Sequence, residues 1–257
     1  RNEITTGNFL FRSREFEQME MEFFVKPDET SEWLEYWSNA RLDWYKSLGI
    51  TEEKLKLRPH ENNELAHYAD ACFDVEYEFP FGWSELEGIA DRGSYDLNQH
   101  AQHSGKKLTW FDSKTNEHIT PAVVEASAGV DRTVLTILVD AYHEEEVKGE
   151  QRVVLKLNPK VAPITVAVFP LVNRDGMPEI AEKIIDALKG DFATFFDAGG
   201  SIGRRYRRQD EAGTPYGVTV DSDTLTDQAV TVRERDSMAQ ERVAMDQLSS
   251  YVFDKLR

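Results

Sequence analysis

Glu125-Ala126-Ser127-Ala128-Gly129-Val130-Asp131-Arg132 is the stretch on which the fold turns. Pro121 to Glu125 before it reads as a strand. Val134 to Tyr142 after it is apolar nearly all round, which predicts a helix buried against a sheet. Small residues at the junction let a ligand approach the backbone closely. A helix N-terminus favours anions, and Arg132 stands in its first turn. The step therefore suits a phosphate site, although Gly-containing strand-to-helix turns also occur without one. His143-Glu144-Glu145-Glu146 is expected to end the helix in solvent.

Toward the N-terminus, Phe9 to Val25 is rich in aromatics and punctuated by charge, as an extended strand with one face in a polar site would be. Alternation puts Gln18, Glu20 and Glu22 on one face and Met19, Met21 and Phe23 on the other. Carboxylates on such a face suit an ammonium group; a wet outer face is the alternative. Arg1-Asn2-Glu3 and Phe11-Arg12-Ser13-Arg14-Glu15-Phe16 flank a turn. Guanidinium groups returning on an antiparallel strand can grip a polyanion from two sides, and Phe16 can stack on a base.

Residues 29–48 place Trp33, Tyr36, Trp37, Ala40, Trp44 and Leu48 on one helical face, with Gly49 as a stop. Cys72–Phe79 and Trp83–Ala90 read as strands joined by a turn at Pro80-Phe81-Gly82. The stretch Trp83-Ser84-Glu85-Leu86-Glu87-Gly88-Ile89-Ala90-Asp91-Arg92 alternates charged and apolar residues. Residues 98–118 are expected to be a polar loop. His100 and His103 share a helical spacing there, but no Cys or carboxylate stands at ligand spacing, so no metal is expected on them.

A boundary is expected at Lys156–Pro163, where two prolines bracket a polar stretch. Beyond it strands and helices alternate. Ile164–Leu171 is a strand buried on both faces, and a helix spans Pro178–Leu188. Then follow a strand at Ala193–Phe196, a helix at Ile202–Ala212 and strands at Gly217–Val220 and Ala229–Arg233. A last helix after Asp236 or Ser237 would bury Met238, Met245, Leu248, Val252 and Leu256.

The 257 residues carry 40% hydrophobic side chains, enough for packed cores, and general disorder is excluded. No apolar run reaches membrane-spanning length. The first residues have no apolar stretch of secretory type. The single cysteine, Cys72, excludes an internal disulfide and a multi-Cys zinc site; it is expected to be a small buried hydrophobe in a cytoplasmic protein. A net charge of −17 argues against indiscriminate nucleic-acid binding. That charge is uneven. Residues 157–257 hold 13 basic and 16 acidic side chains, net −3, whereas residues 1–156 hold 17 and 31, net −14. The later part also carries the densest basic cluster, Arg204, Arg205, Arg207 and Arg208.

Taken together, these stretches resemble the class II aminoacyl-tRNA synthetases, and within them the homodimeric glycyl enzymes. Arg1–Thr5 with Phe11–Phe16 looks like class II motif 2, Glu17-Gln18-Met19-Glu20 like its glycyl form, and Glu125–Arg132 like motif 3. The segments 162–172, 203–211 and 230–236 resemble the family's anticodon-binding domain. Thr6 and Ala126 stand where the family usually has Pro, and neither removes a reactive group.

The resemblance implies an α+β protein. A class II antiparallel-sheet catalytic domain over 1–156, incomplete at its N-terminus because the chain opens inside motif 2, precedes a small α/β anticodon-binding domain with a mixed sheet over 157–257. It implies ligation of glycine to tRNA(Gly) through glycyl-adenylate, using ATP and Mg2+. Arg1, Arg12 and Arg132 would be catalytic. Asn2, Glu3, Phe11, Arg14, Glu15, Phe16, Glu85, Leu86, Gly129, Val130 and Asp131 would bind ATP with them, Glu85 also binding the metal. Phe16, Glu17, Gln18, Met19, Glu20, Glu125, Ser127 and Gly129 would surround glycine. Arg204, Arg205, Arg207 and Arg208 would meet the tRNA backbone. A homodimer without membrane attachment is the implied assembly. The competing expectation is a class II-like paralogue or fragment that kept the fold, lost aminoacylation and binds nucleic acid.

Overall fold

The computed structural model describes residues 1–61, 63–66 and 69–256, which form two compact units, Arg1–Asp140 and Ala141–Arg257. The first contains β1 (Gln18–Val25), α1 (Thr30–Ser47), β2 (Leu55–Pro59), β3 (Ala71–Phe79), β4 (Gly82–Gly93), α2 (Tyr95–Ser104), β5 (Trp110–Asp112), β6 (Glu117–Ile119), β7 (Ala122–Gly129) and α3 (Val130–Ala141). Five strands form an antiparallel sheet in the order β1-β7-β4-β3-β2, while β5 and β6 make a separate hairpin.

Period-two alternation gives this sheet two chemically distinct faces. Met21, Phe23, Val25, Leu55, Val75, Tyr77, Ile89, Val124 and Ala126 form the apolar face and pack with Leu34 and Tyr45 of α1 in one core. Each fully buried side chain of this kind contributes about 1.5–3 kcal/mol. The opposite face carries Glu20, Glu22, Arg58, Cys72, Asp74, Gly88, Glu125 and Ser127, and the functional chemistry collects there.

Three expectations in this unit are corrected. The strand expected from Phe9 begins only at Gln18: Asn8 and Phe9 take positive φ values of 52° and 54°, and Phe9–Phe11 is a 3-10 turn. Residues 98–118 hold α2 and the β5–β6 hairpin; Asp96 in the first turn and Gly105 at φ 68° supply the start and stop signals. The tryptophan face of α1 packs against the core, with Trp33 and Trp37 on Phe23 at centroid distances of 4.7 and 5.3 Å and Trp44 and Leu48 beside the same cluster, while Tyr36 is exposed. α3 is not buried all round, since Val134 and Leu138 stand exposed.

The second unit contains β8 (Tyr142–Val147), β9 (Glu150–Leu155), β10 (Val166–Pro170), α4 (Met177–Leu188), β11 (Thr194–Phe196), α5 (Ile202–Ala212), β12 (Tyr216–Val220), the short α6 (Thr224–Asp227), β13 (Ala229–Glu234), β14 (Gln240–Ala244) and α7 (Leu248–Lys255). Its sheet runs β11-β10-β12-β13-β14; β10 is parallel to β11 and β12, and the other pairs are antiparallel, so the sheet is mixed. Val168, Val218, Val220 and Val232 meet Ala181, Ile184 and Leu188 of α4 and Leu248 and Val252 of α7 in its core.

The unit begins before the expected boundary at 156/157, because Tyr142–Leu155 is a hairpin whose second strand packs on α5. His143–Glu146 is thus a strand, where a solvated helix end was expected. The last helix also starts later than its heptad-like spacing suggests. Gln240–Ala244 pairs with β13 and buries only Val243, and Met238 lies in a turn at φ 56°. Gly217 is required by close packing: a Cβ there would lie 2.6 Å from the Tyr206 ring and 3.1 Å from Phe169.

Candidate active site

Strand register assembles the polar face of the first unit. Gln18 lies opposite Gly129, Glu20 opposite Ser127 and Glu22 opposite Glu125. On the next strand Ser127 faces Gly88 and Glu125 faces Ala90, and beyond these Asp74 faces Gly88 and Cys72 faces Ala90. Two large-to-small steps in the middle of the sheet leave a hollow above Gly88 and Ala90. It has a volume of about 310 Å³.

The N-terminal hairpin closes over it. Asn2 bridges Glu15 and Gly7 bridges Arg12, while Phe16 N–H donates to Arg1 O at 3.1 Å. Glu3, Phe11, Arg12 and Phe16 of this hairpin line the hollow together with Gln18, Glu85, Leu86, Glu125, Ser127, Gly129, Asp131 and Arg132. Segments more than a hundred residues apart therefore meet around one space. Leu86 itself is core, 1% exposed, and bounds the cavity from the apolar side. Arg1, Asn2, Glu15 and Glu17 line an adjoining, more open hollow of about 520 Å³, which shares Phe16 and Asp131.

Arg132 is held in place by what it touches. Its Nε donates to Phe11 O and one terminal nitrogen to Glu85 O, both at 3.0 Å, and its guanidinium lies 4.4 Å from the centre of the Phe11 ring. Arg12 is exposed at the cavity mouth. The start of α3 is tied to the start of β1: Val130 N–H donates to Glu17 O at 3.0 Å, and Glu17 N–H donates to the Asp131 carboxylate at 3.4 Å.

The carboxylates fall into two groups. Gln18 hydrogen-bonds Ser127, and Arg92 donates to Glu125 at 2.7 Å. Glu22 stands against Glu125; burial, and then the hydrogen bond and charge of Glu125, raise its carboxyl to about 7. Glu20 does not line the cavity. It pairs with Arg1 at 2.7 Å. Glu85 is raised by burial first and then by the charge of Asp74, with Arg132 acting in the opposite direction.

Several expected residues stand apart. Arg14, Met19 and Val130 line neither hollow, and Met19 is on the other face of β1. Glu3 spends one carboxylate oxygen locally, accepting from Ile4 N–H at 2.9 Å. The sequence placed Glu22 on the face suited to an ammonium group without assigning it to the site, and gave no role to Arg92, His60 or Asp74. The alternation of β1 placed Glu22 beside Glu20, and Arg92 closed a quoted stretch, so both were within reach; His60 and Asp74 gave no such sign. Cys72, expected as buried hydrophobe, is half-buried and lines the cavity.

In the second unit the basic cluster divides. Arg205 is withdrawn from the surface set: it is 3% exposed and donates to the carbonyls of Pro170, Ala198 and Gly200. Arg208 pairs with Asp197 and Gly199 O. Arg204 and Arg207 reach an open hollow of about 740 Å³ lined also by Lys148, Tyr206, Arg233 and Gln240. A larger, mostly apolar hollow in the first unit, about 640 Å³, is lined by Phe23, Trp33, Leu97 and Trp110 together with Lys107 and Lys26, the latter paired with Asp112 at 2.9 Å.

The family described as "Anticodon binding domain" matches residues 165–255. Over its whole length the chain is 54% identical to glycine–tRNA ligase of Caldanaerobacter subterraneus subsp. tengcongensis, covering 55% of it. It is 52% identical to that of Thermobifida fusca, covering 57%. The chain thus spans about half the length of these curated relatives. Among solved structures, prolyl-tRNA synthetase from Cryptosporidium parvum complexed with L-proline and AMP matches 99% of the chain and 53% of its own, at a TM-score of 0.73 and 18% identity. At that identity the likeness is one of fold.

Proposed function

We propose, for a chain that belongs to the glycyl-tRNA synthetase family, that the cavity between the N-terminal hairpin and the sheet activates glycine with ATP before transfer to tRNA(Gly). The observation that carries this reading is convergence: Arg12, Arg132 and Glu85 share one 310 Å³ space with Phe16, Glu125 and Ser127. A paralogue that had lost the activity would have no reason to keep phosphate-binding cations and ammonium-binding carboxylates around the same hollow.

In this reading the glycine carboxylate attacks the α-phosphorus of ATP and pyrophosphate leaves. The protein supplies position and charge, and no side chain acts as nucleophile. Phe16 offers a face for the purine, and Arg12 and Arg132 neutralise the phosphates. Glu125 and Ser127 hold the ammonium group, and Glu22 and Arg92 fix Glu125 from either side. Arg1 now occupies Glu20. That pairing holds the Arg1 guanidinium beside the strand position opposite Ser127, within reach of the reacting groups. Glycine has no side chain to grip, so selection rests on excluding bulk at Cα, which is easier than rejecting a smaller substrate.

Glu85 fits the magnesium role. It offers hard oxygen donors at the cavity, on the same lining as Asp74. When bound, Mg2+ would supply neutralisation of phosphate charge. Arg204 and Arg207 are the proposed tRNA-backbone contacts, with Arg208 at the edge. No helix among the described residues is long and apolar enough to cross a membrane; homodimer assembly and a cytoplasmic location rest on the family resemblance.

ATP–pyrophosphate exchange by the full-length protein with glycine, alanine and serine tests the reading. Exchange with glycine alone is expected. Exchange with none of the three would favour a nucleic-acid-binding paralogue.

A further inference from the structure

We infer that His60, Cys72 and Asp74 form a binding site for a zinc-type divalent cation on the floor of the cavity, separate from the oxygen donors of Glu85. Cys72 and Asp74 are two apart on β3 and so project from the same face of the sheet. His60 continues the β2–β3 pairing one step beyond Pro59, its N–H donating to Cys72 O at 2.9 Å, which sets it directly across from Cys72. One donor atom from each residue lies within 4.8 Å of the other two. The strand beyond presents only Ala90 and Gly88 to them, so the open side of the triad is the cavity itself.

One imidazole nitrogen, one sulfur and one carboxylate oxygen are a zinc-type donor set, and three protein ligands leave a fourth position open. A thiolate in the set selects borderline and soft cations over magnesium. His60 Nε2 already lies 2.8 Å from Asp74, so small side-chain rotations bring the donors together. Arg58 also touches Asp74, at 2.9 Å, but it holds Glu64 and Glu76 as well, so it keeps carboxylate partners when Asp74 turns to a metal. Without metal, burial and then Asp74 push the Cys72 thiol up to about 12, so that it is protonated at neutral pH and alkylates slowly. Coordination replaces the S–H bond with a metal–sulfur bond and releases the proton to solvent.

Titrating Co2+ alone into the full chain tests the site without reference to glycine activation. One equivalent should produce the near-ultraviolet thiolate-to-cobalt absorption. Cys72→Ser, nearly isosteric, should abolish that band. His60→Ala should weaken Co2+ binding by more than about tenfold, a loss that even an outer-sphere partner produces. Circular dichroism checks that both variants fold. In the unmodified protein, stoichiometric Zn2+ should slow alkylation of the single cysteine. The inference is overturned if wild type shows no band, if Cys72→Ser keeps it, or if Zn2+ leaves the alkylation rate unchanged.

Discussion

Arginines buried in the core of the second unit and arginines at the cavity of the first do opposite work. In the second unit Arg152, Arg205, Arg233 and Arg235 are each under 10% exposed, and their donors are taken by carbonyls and carboxylates. Asp210, 1% exposed, accepts from Arg152 at 2.9 Å and from Arg233 at 2.9 and 3.2 Å. In the first unit Arg12 is left exposed at a cavity and Arg1 holds a single carboxylate. A dense basic cluster in sequence therefore marks structure as readily as it marks a ligand. What distinguishes the two is unspent donors.

The comparison breaks most severely at Asp210. Replacing it by Ala removes both carboxylate bonds of buried Arg233 and one of the two carboxylate partners of buried Arg152, which keeps Glu145, at a cost of about 3–5 kcal/mol. Chemical denaturation should show that loss, and a Tm unchanged within two degrees would refute the structural role. Arg12→Ala is the mirror case. It should leave thermal stability untouched, as exposed substitutions do. Glycine-dependent ATP–pyrophosphate exchange should fall roughly 100- to 1000-fold, the usual cost of one donor aimed at developing charge. Comparable losses of stability in both variants would erase the distinction.

A finer test separates substrates within the cavity. Glu125→Gln removes a charge-assisted bond worth about 1.5–3 kcal/mol, so the KM for glycine should rise roughly 10- to 100-fold while that for ATP moves little. Equal shifts in both would defeat the ammonium assignment.

How legible was all this? The elements whose pattern is strong and local were readable: α5, α4 and β3 lie within a residue of expectation, whereas β7 runs four residues past Glu125 to Gly129. The polar-face pairs were readable because β alternation is rigid; Gln18, Glu20 and Glu22 had to share a side. What failed was tertiary. Arg205 looks like its neighbours in sequence, and only the path of Ala198, Gly200 and Pro170 around it turns it inward. Met238 matched a helical spacing, but pairing of Gln240–Ala244 with β13 outweighed that match. The His60–Cys72–Asp74 cluster depends on a strand pairing that no local motif announces.

Glu22 sharpens the comparison among carboxylates. Its carboxyl is raised to about 7, so it is protonated in the folded state where a free glutamate is charged. Its stabilising contribution is full below about pH 4.5 and disappears as pH rises through about 7. Glu22→Gln, a permanently neutral mimic, should flatten the change in Tm between pH 5 and pH 8. It should also remove the rise in glycine affinity expected as Glu22 ionises beside the ammonium. An unaltered pH profile would mean that Glu22 does not carry the titration between pH 5 and pH 8.

The smallest effect lies on α5, where Arg204 and Arg205 are adjacent in sequence and opposite in circumstance. Arg204 is exposed beside the Lys148–Arg233 hollow, whereas Arg205 is enclosed by three carbonyls. If Arg204 meets a phosphate, each contact removed lowers the slope of log affinity against log salt by about 1. Arg204→Ala should then weaken tRNA binding most at low salt, with the difference shrinking roughly three- to fourfold between about 50 and 200 mM. Arg205→Ala should instead lower stability, by leaving carbonyls without their donor, and weaken tRNA binding by the same factor at every salt concentration. A salt slope altered by Arg205→Ala and untouched by Arg204→Ala would reverse the rule that unspent donors, and not the count of arginines, locate the ligand.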